Sequence, residues 1–453
     1  MNNTPFFRFT RRTFLSASAL CLASGVAVRR AFASQPPPVT NPRATSGDTA
    51  IEPNWAERLT VTVGPEKADL TGASDRVLQA AVDYVARLGG GTVRVLPGTY
   101  RLRNAVYLQS KVRLLGSGDN SILIKEPSVT AKLAGDSDWF DQEITVADAG
   151  GFQIGDGICL RTKDPHSGGT DVVKRTLVAR NGNRFKLDRA LRKNFWLMGD
   201  TTVSTLFPIL CAEEVADITV ENLTLDGNRS QNAHLDGNYA GCSWSQDCSR
   251  LTFRNVTARN YNGDGISWQV CHDVLVENCH SHDNADLGLH PGSGSQRPII
   301  RNNRLERNGI GIFFCWGVRH GLAEKNVMLE NRRFGVSIGH RDTDNLIRDN
   351  EILRSGEAGV LFRPERGKDF APHRNVIEKN RIVDSGDAKG IGVDVQGQVE
   401  SITITRNEIK ETRQPMERIG VRIGAETKDI RLVENKIEGY AREVARLEPA
   451  AKR

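Results

Sequence analysis

The sequence predicts an all-β fold, a right-handed parallel β-helix with an N-terminal capping helix, and three observations support this prediction. Short β-branched strands alternate with asparagine and glycine turns from residue 217 onward. These strand-and-turn units recur about every 25 residues, as the units of a solenoid do. Glycine is abundant, with 43 residues, whereas aromatic residues make up only 6% of the chain. This composition favours many strands and tight turns over long packed helices.

The first 33 residues are predicted to be an export signal rather than part of the fold. Arg11 and Arg12 lie in a segment that resembles the twin-arginine export motif; a short apolar run follows, and Ala31-Phe32-Ala33 fits a cleavage site. The run is too short to span a bilayer comfortably, so no stable membrane anchor is expected. We therefore expect the twin-arginine translocase as a partner during export and a periplasmic or secreted location.

The charge of the remaining chain gives no reason to expect nucleic acid as a partner. The whole chain carries a net charge of +6, from 61 basic and 55 acidic residues. Five of the arginines and none of the acids lie in the export segment, so the remainder carries +1. A nearly neutral body lacks the basic surface that nucleic-acid binding uses. Of the 8 cysteines, none forms a CxxC pair, so a zinc framework is not expected.

After the export segment, the composition predicts five further regions. Residues 34–55 are polar and proline-rich and predict a disordered linker. Residues 56–141 predict a cap and the first turns of the β-helix, with a helix that covers the open end of the stacked core. Residues 142–205 predict a small antiparallel β insertion, which serves either structure or substrate contact. Residues 206–444 predict the parallel β-helix repeats, and residues 445–453 predict a polar tail.

Two series of residues define the predicted turns of the solenoid. The asparagine series is Asn222, Asn255, Asn278, Asn303, Asn326, Asn350, Asn380, Asn407 and Asn435. The glycine series is Gly241, Gly265, Gly288, Gly311, Gly335, Gly359, Gly392 and Gly420. Residues one and three after each glycine are apolar and should face inward, whereas residues two and four after it should face outward. The predicted outward column is Ser243, Ser267, His290, Phe313, Ser337, Leu361, Asp394 and Arg422.

These features resemble those of the pectate-lyase-like superfamily of right-handed parallel β-helices. The predicted helix, followed by Gly89-Gly90-Gly91-Thr92-Val93 and Leu96-Pro97-Gly98-Thr99-Tyr100, is similar to the cap of that superfamily. The asparagine and glycine series are similar to its repeats, and the resemblance covers most of the chain. It implies the fold but leaves the reaction open, because the superfamily includes lyases, hydrolases, epimerases and non-enzymatic adhesins.

Seven of the 9 histidines lie between residues 234 and 340, on neighbouring predicted turns. Histidine is the side chain best suited to transfer protons near neutral pH. One of them lies in Gly288-Leu289-His290-Pro291-Gly292, which resembles the slot that alginate C5-epimerases fill with Gly-x-Asp-Pro-His-Glu. His290 stands where that slot has aspartate and Gly292 where it has histidine. The resemblance therefore implies the location of a site and not its chemistry.

Chemistry on a uronic acid requires a cation that neutralises the carboxylate, a base that removes the neighbouring proton and an acid on the other side. The predicted catalytic residues are His290, His340, Arg341, Asp342 and Arg363. The predicted substrate-binding residues are Trp316, His320, Arg319, Glu365 and His272. The alternative for residues 340–342 is a local salt-bridged loop. His280 and His282 flank a turn whose register the sequence does not fix.

No metal site and no cofactor are predicted. Clustered aspartate and asparagine oxygens would suit Ca²⁺, but no dedicated loop spacing for that ion occurs. A long loop begins at Asp226 and contains His234 and Asp236; it either overhangs the outward column or forms a solvated turn.

Three functions fit the sequence, all with a polysaccharide or oligosaccharide as the ligand. The first is an exported polysaccharide lyase or epimerase that acts on a uronic-acid-containing glycan. The second is a glycoside hydrolase, which would need two carboxyl groups across the scissile bond. The candidate acids for that reaction are Asp264, Asp283, Asp286, Asp342 and Glu365. The third is a non-catalytic glycan-binding or surface protein.

Overall fold

The computed structural model describes residues 52–164 and 166–448, all of which belong to one compact unit. The predicted export segment, nearly all of the predicted linker and the last residues of the predicted tail lie outside the described residues. The end of the predicted linker is ordered, because Glu52 pairs with Arg254 at 2.6 Å. A short 3-10 helix, Trp55–Glu57, follows it.

The first part of the described chain forms the cap and the first turns of the solenoid. The helix α1 (Asp75–Arg87) buries Leu78, Val82 and Val85 against the first strands, as the sequence predicts. Ser74 lies at the N-cap position of α1, but its side chain makes no capping hydrogen bond. The strands of this part are β1 (Leu59–Gly64), β2 (Leu70–Thr71), β3 (Gly91–Val95), β4 (Gly98–Leu102), β5 (Val106–Tyr107) and β6 (Val112–Lys125).

An antiparallel sheet of six strands forms the insertion. Its strands are β7 (Thr130–Lys132), β8 (Glu143–Thr145), β9 (Gly157–Lys163), β10 (Thr170–Asn181), β11 (Arg184–Leu187) and β12 (Thr202–Ser204), paired in the order β7-β12-β9-β10-β11-β8. The insertion has its own core, which includes Ile144, Leu160 and Phe185. It begins at Thr130 rather than at residue 142, because β7 pairs with β12.

The rest of the described chain winds into parallel turns. Its strands are β13 (Leu210–Glu213), β14 (Ala216–Asp226), β15 (Gly241–Gln246), β16 (Ser249–Arg259), β17 (Asp264–Gln269), β18 (Leu275–Glu277), β19 (His280–His282), β20 (Leu287–Gly292), β21 (Ile299–Arg301), β22 (Arg304–Glu306), β23 (Ile310–Phe313), β24 (Leu322–Glu324), β25 (Val327–Leu329), β26 (Phe334–Ile338), β27 (Leu346–Arg348), β28 (Glu351–Leu353), β29 (Ala358–Phe362), β30 (Val376–Glu378), β31 (Arg381–Val383), β32 (Ile391–Val395), β33 (Glu400–Thr405), β34 (Glu408–Lys410), β35 (Ile419–Ile423), β36 (Lys428–Val433), β37 (Lys436–Glu438) and β38 (Arg442–Arg446). Short 3-10 helices lie at Leu197–Gly199, Arg229–Gln231 and Lys368–Phe370. The strand β38 extends into the region predicted as a polar tail.

These strands stack into one sheet of 21 strands and one of 11 strands, so the predicted β-helix is confirmed. The 11-stranded sheet consists of β5, β13, β15, β17, β20, β23, β26, β29, β32, β35 and β38, each paired in parallel with the next. Its inward residues, such as Trp268, Ile312 and Val336, are completely buried in the central core. The outward side of this sheet carries the candidate site.

The asparagine series stacks in the interior only from Asn303 onward. Asn326, for example, donates from its main-chain nitrogen and from Nδ2 to Asn350 Oδ1, at 2.9 Å each. The prediction was wrong by one residue at Asn278, because Cys279 occupies the ladder position and its nitrogen donates to Asn303 Oδ1. Asn278 instead has a φ of 54° at the preceding bend, where asparagine tolerates left-handed geometry.

The outward column also differs from the prediction in its first turn. Gly241 pairs with Asp264 and Ser243 with Ile266, so Cys242 takes the place of the turn glycine. A shift of one residue in a strand exchanges its two faces. Trp244 therefore aligns with Ser267 and His290, and Ser243 does not belong to the column. From Ser267 to Arg422 the observed column is the predicted one.

Candidate functional site

The loop between β14 and β15 covers the outward side of the first turns. Gly237 O accepts a hydrogen bond of 2.7 Å from Ser267 Oγ, and Asn238 O accepts one of 3.2 Å from Trp244 Nε1. Gly237 lies so close to the Asp264 carboxylate that a side chain at position 237 would collide with it. Of the two alternatives for this loop, the structure therefore shows the overhanging one.

His290 and Asp264 form a buried pair beneath this loop. His290 Nδ1 lies 2.8 Å from Asp264 Oδ2, and the two side chains are only 4% and 1% exposed. Asp264 Oδ1 also accepts a hydrogen bond of 3.1 Å from the Leu287 nitrogen. A carboxylate can only accept hydrogen bonds, so it holds the proton of the neutral imidazole on Nδ1. His290 Nε2 is left as the basic nitrogen, and it is buried without a hydrogen-bond partner among the described residues.

Burial raises the pKa of Asp264, whereas the hydrogen bond and the charge of His290 oppose this effect. Phe313 packs edge-on against His290, with ring centroids 5.5 Å apart. The imidazole is therefore fixed in orientation from both sides. An orientation of this kind, set by a buried carboxylate, is what a general base requires.

A cavity of about 520 Å³ opens over this pair. His234 lines it as well, and its Nε2 lies 2.6 Å from Asp286 Oδ2. The hydrogen bond with Asp286 raises the pKa of His234, so that this imidazole holds its proton more firmly than a free one. The cavity thus contains one histidine suited to accept a proton and one suited to donate it.

The cavity also contains a cation without a carboxylate partner. Arg332 donates to the carbonyl oxygens of Arg307, Asn284 and Ala285, and it forms no ion pair within the described residues. The neighbouring Arg333 is paired with Glu357 at 2.9 Å. Arg332 is therefore the guanidinium that can neutralise a ligand carboxylate.

The sequence singled out His290 but not its partners in this cavity. Asp264 and Asp286 were predicted only as candidate acids for hydrolysis. His234 was noted within the histidine cluster, and Arg332 was not considered. Asp264 directly precedes Gly265 of the glycine series, at the start of β17. This position places it beside the outward column of the next turn. That position is the signal that could have identified it.

His340 lies elsewhere, in the turn after β26. Its ring stacks on Trp316 with centroids 4.7 Å apart and contacts Phe370 at 5.1 Å. Its Nδ1 lies 3.6 Å from Glu365 Oε2, and burial lowers the pKa of His340. Trp316 is 57% exposed, so one face of this aromatic group remains accessible. His340 does not line the cavity of His290.

Arg363 and Asp342 stabilise this turn. Arg363 donates to Ser337 Oγ and Phe314 O at 2.8 Å each, and its guanidinium lies 4.3 Å from the centroid of the Phe313 ring. Asp342 is completely buried and accepts hydrogen bonds from the nitrogens of Gly317, Val318 and Gly339. Burial raises the pKa of Asp342 to about 7. The contacts of both side chains are with the protein itself.

Arg319 and Arg341 line another pocket of about 410 Å³, together with Lys368, His373 and Arg374. Arg341 donates from Nε to Asp369 O at 3.0 Å, whereas His340 lies 3.6 Å from Glu365 and Asp342 lies 3.5 Å from Arg363, so the charged partners of residues 340–342 come from later residues and not from one another. His320 has a φ of 56° at a bend. The structure therefore distributes the predicted site residues over several places instead of one site.

The remaining histidines lie away from the cavity of His290. His272 pairs with Ser249 and Gln296 in the turn after β17, and its Nδ1 is buried without a partner among the described residues. His280 and His282 stack at 4.1 Å on β19, which belongs to the 21-stranded sheet. Their register is thus resolved, and they do not border the cavity.

Neither a membrane-spanning helix nor a metal-binding cluster is found in the described part of the chain. None of its helices has the length and apolar character needed to cross a bilayer. No three histidine, cysteine, aspartate or glutamate side chains within residues 52–164 and 166–448 converge as metal ligands.

Comparison with known proteins agrees with the fold. Residues 240–409 match the family described as "Right handed beta helix region". The mannuronan C5-epimerase AlgE3 of Azotobacter vinelandii is 26% identical over 162 residues, which is 36% of this chain. The match covers only 8% of the length of that curated relative.

Two solved structures are similar over most of their length. The A-module of mannuronan C-5 epimerase AlgE4 from Azotobacter vinelandii has a TM-score of 0.50 and 16% identity, over 83% of this chain and 94% of that one. The surface protein and adhesin PfbA of Streptococcus pneumoniae has a TM-score of 0.52 and 16% identity, over 86% of this chain and 99% of that one. At these identities the similarity shows the fold alone.

Proposed function

We propose that the chain is an exported enzyme that modifies a uronic-acid-containing polysaccharide, as a lyase or an epimerase, in the cavity of His290. The observation that carries the proposal is the His290–Asp264 pair, whose Nε2 is unpartnered at a cavity that also contains His234 and Arg332. The similarity over 162 residues to a protein named a mannuronan C5-epimerase supports the same class of substrate.

The chemistry follows from the charges in the cavity. Arg332 neutralises the uronate carboxylate and thereby acidifies the adjacent C5–H bond. His290 Nε2 removes the C5 proton, and Asp264 stabilises the imidazolium that forms. His234 supplies a proton, either to C5 on the opposite face of the ring or to the departing glycosidic oxygen. The first outcome is epimerisation and the second is elimination.

The two predicted substrate-binding residues that are exposed are assigned to substrate contact. Trp316 presents an exposed ring face that can stack on a sugar, and Arg319 lies in the neighbouring pocket with Arg341. His340 stacks on the Trp316 ring, and Glu365 lies 3.6 Å from His340 Nδ1. These roles remain predictions.

The test is turnover of a panel of uronate and neutral polysaccharides in D₂O. Ultraviolet absorbance of an unsaturated product indicates a lyase, and NMR detection of the C5 epimer with deuterium at C5 indicates an epimerase. We expect His290→Gln to abolish either signal without lowering the melting temperature much. His166→Gln, at an exposed histidine of the insertion that contacts Trp196, is the matched control and should retain full activity.

The second candidate is a glycoside hydrolase, and one observation favours it: Asp264 and Asp286 both line the cavity. Burial raises the pKa of Asp264, as a general acid requires, and Asp286 is more exposed. New reducing ends without an unsaturated product would support this reaction over elimination. Binding without any turnover would instead support a glycan-binding protein and contradict the proposed enzyme.

A further inference from the structure

A second cavity, of about 320 Å³, lies where the insertion meets the 11-stranded sheet. Lys174 and Arg189 line it from the insertion, and Trp244 and Glu213 line it from the sheet. The sequence does not predict this cavity, because β10 and β15 are distant in the chain. Residues of the insertion therefore form part of the wall of this cavity, in addition to the insertion's own core.

Lys174 is the unusual group of this cavity. Its ammonium lies 3.0 Å from the centroid of the Trp244 ring, and Nζ is buried without a hydrogen-bond acceptor among the described residues. Glu213 Oε1 is the nearby carboxylate oxygen, at 3.9 Å, which is beyond hydrogen-bond distance. Burial lowers the pKa of Lys174. An ammonium buried in this way is costly unless an acceptor is supplied.

Arg189 brings a second positive charge to the same cavity. Its Nη2 lies 3.4 Å from Glu213 Oε2 and its side chain is 55% exposed. Glu213 therefore shares its negative charge between two cations at long distances. A ligand carboxylate placed between Lys174 and Arg189 would provide the acceptor that Lys174 lacks.

The second cavity adjoins the first one. Asn238, in the overhanging loop, lines both cavities. Trp244 aligns with Ser267, and Ser267 aligns with His290, so two turns of the solenoid separate Trp244 from His290. Stacked strands are about 4.8 Å apart, which gives a separation of about 10 Å along the solenoid axis. A chain of linked sugars extends over such a distance.

We infer that the second cavity is a binding subsite for the carboxylate of another uronate in the same polysaccharide chain, held by Lys174 and Arg189. This inference rests on the proposed function, since it names the substrate as a polyanion that occupies both cavities. It assigns substrate contact to the insertion, one of the two roles that the sequence left open.

The experiment measures binding of purified uronate oligosaccharides of increasing length to the full chain by calorimetry. We expect Lys174→Met to weaken binding of long oligosaccharides by at least tenfold and to leave the shortest ligand that binds unaffected. Lys193→Met is the matched control, because Lys193 lies on the same insertion but pairs with Asp171 at 3.0 Å. Methyl-esterified oligosaccharides, which lack the negative charge, should bind equally to Lys174→Met and to the original chain.

Tryptophan fluorescence gives an independent readout. The ammonium of Lys174 lies on the Trp244 ring, so a bound anion should change the indole emission. The change in emission should disappear in Trp244→Phe. This variant shows that the change comes from Trp244 and not from the other 5 of the 6 tryptophans. If Lys174→Met does not fold, Arg189→Met tests the same cavity, because Arg189 is more exposed and should weaken binding of long chains in the same way.

The outcomes separate this inference from the proposed function. Equal binding and turnover of long chains by Lys174→Met and the original chain would overturn the subsite alone. Lys174-dependent binding by a chain without lyase or epimerase activity would overturn the proposed reaction and keep the subsite. Absence of binding to every uronate chain would overturn both.

Discussion

At the scale of single residues, the tautomer of His290 depends on a neighbour that the sequence did not reveal. The imidazole lies on the predicted outward column, but its tautomer is set by Asp264 from the preceding turn. His340, which the sequence predicts as a catalytic residue together with His290, lies in the turn after β26 and packs between Trp316 and Phe370. The pattern predicts which face a strand residue occupies, but it does not predict where a turn residue points.

The first prediction concerns Asp264→Asn. Asparagine can still accept the Leu287 hydrogen bond through its oxygen, but its amide would donate to His290 Nδ1 and move the imidazole proton to Nε2. We expect kcat to fall roughly 100-fold or more, as for other carboxylates that set a histidine tautomer. Steady-state kinetics on the polysaccharide that the chain turns over measures the effect. Asp349→Asn, an exposed aspartate on another face, should leave kcat unchanged.

The second prediction concerns the pH dependence of turnover. The pKa of His234 is raised by Asp286, and the acid role requires the protonated imidazole. Activity should therefore be retained below the raised pKa of His234 and decline as the pH rises through it. In Asp286→Asn the raising interaction is absent, so the alkaline decline should begin at a lower pH. An unchanged alkaline limb in kcat–pH profiles would exclude His234 as the acid.

At the scale of elements, the strands and their order could be predicted, but the register failed in the first turns, as Gly241 and Asn278 illustrate. Cys242 replaces the turn glycine and Cys279 replaces the ladder asparagine, so the nearest glycine and asparagine in the sequence, Gly241 and Asn278, are each one residue early. Cysteine is small and tolerates burial, and it fills these inward positions without the signature residue. Each slip matters because adjacent strand residues face opposite sides.

The third prediction tests the asparagine ladder as an element. Asn350 accepts from Asn326 and donates from Nδ2 to Ala323 O and Asn380 Oδ1, at 2.9 Å each. Asn350→Ala removes these bonds and leaves buried polar groups of both neighbouring turns unpaired. We expect a loss of roughly 2–4 kcal/mol in the free energy of unfolding, measured by urea denaturation. Asn278→Ala, at an exposed bend, should lose about 1 kcal/mol because left-handed geometry is unfavourable for alanine.

At the scale of the whole molecule, the capping helix, the insertion and the stacked turns were all expected from composition and period. The contact between the insertion and the 11-stranded sheet was not, because no periodic pattern relates β10 to β15. The asparagine and glycine series relate residues that are neighbours along the solenoid axis. They do not indicate which segments pack against the side of the solenoid. Both cavities lie at such lateral contacts, formed by the overhanging loop and the insertion.

The fourth prediction concerns export of the whole chain. The seven described cysteines are free thiols in the structure, and the proposed export of a folded chain is compatible with this state. Replacing Arg11 and Arg12 together by lysine should block export through the twin-arginine translocase. Cell fractionation should then show an uncleaved precursor inside the cell. A single replacement of Arg8, outside the pair, should leave export unchanged, and export of the double variant would contradict the assignment.

The overhanging loop has a consequence for direction. The loop lies between the His290 cavity and the second cavity, which contains Lys174. On the other side of the His290 cavity lie the later turns with the exposed Trp316 ring. In the proposed function a linear glycan, whose two ends are chemically different, occupies this track, and a track with Lys174 at one end and Trp316 at the other would accept it in one polarity. Successive modifications would then proceed toward a single terminus, and their pattern along the product would be asymmetric.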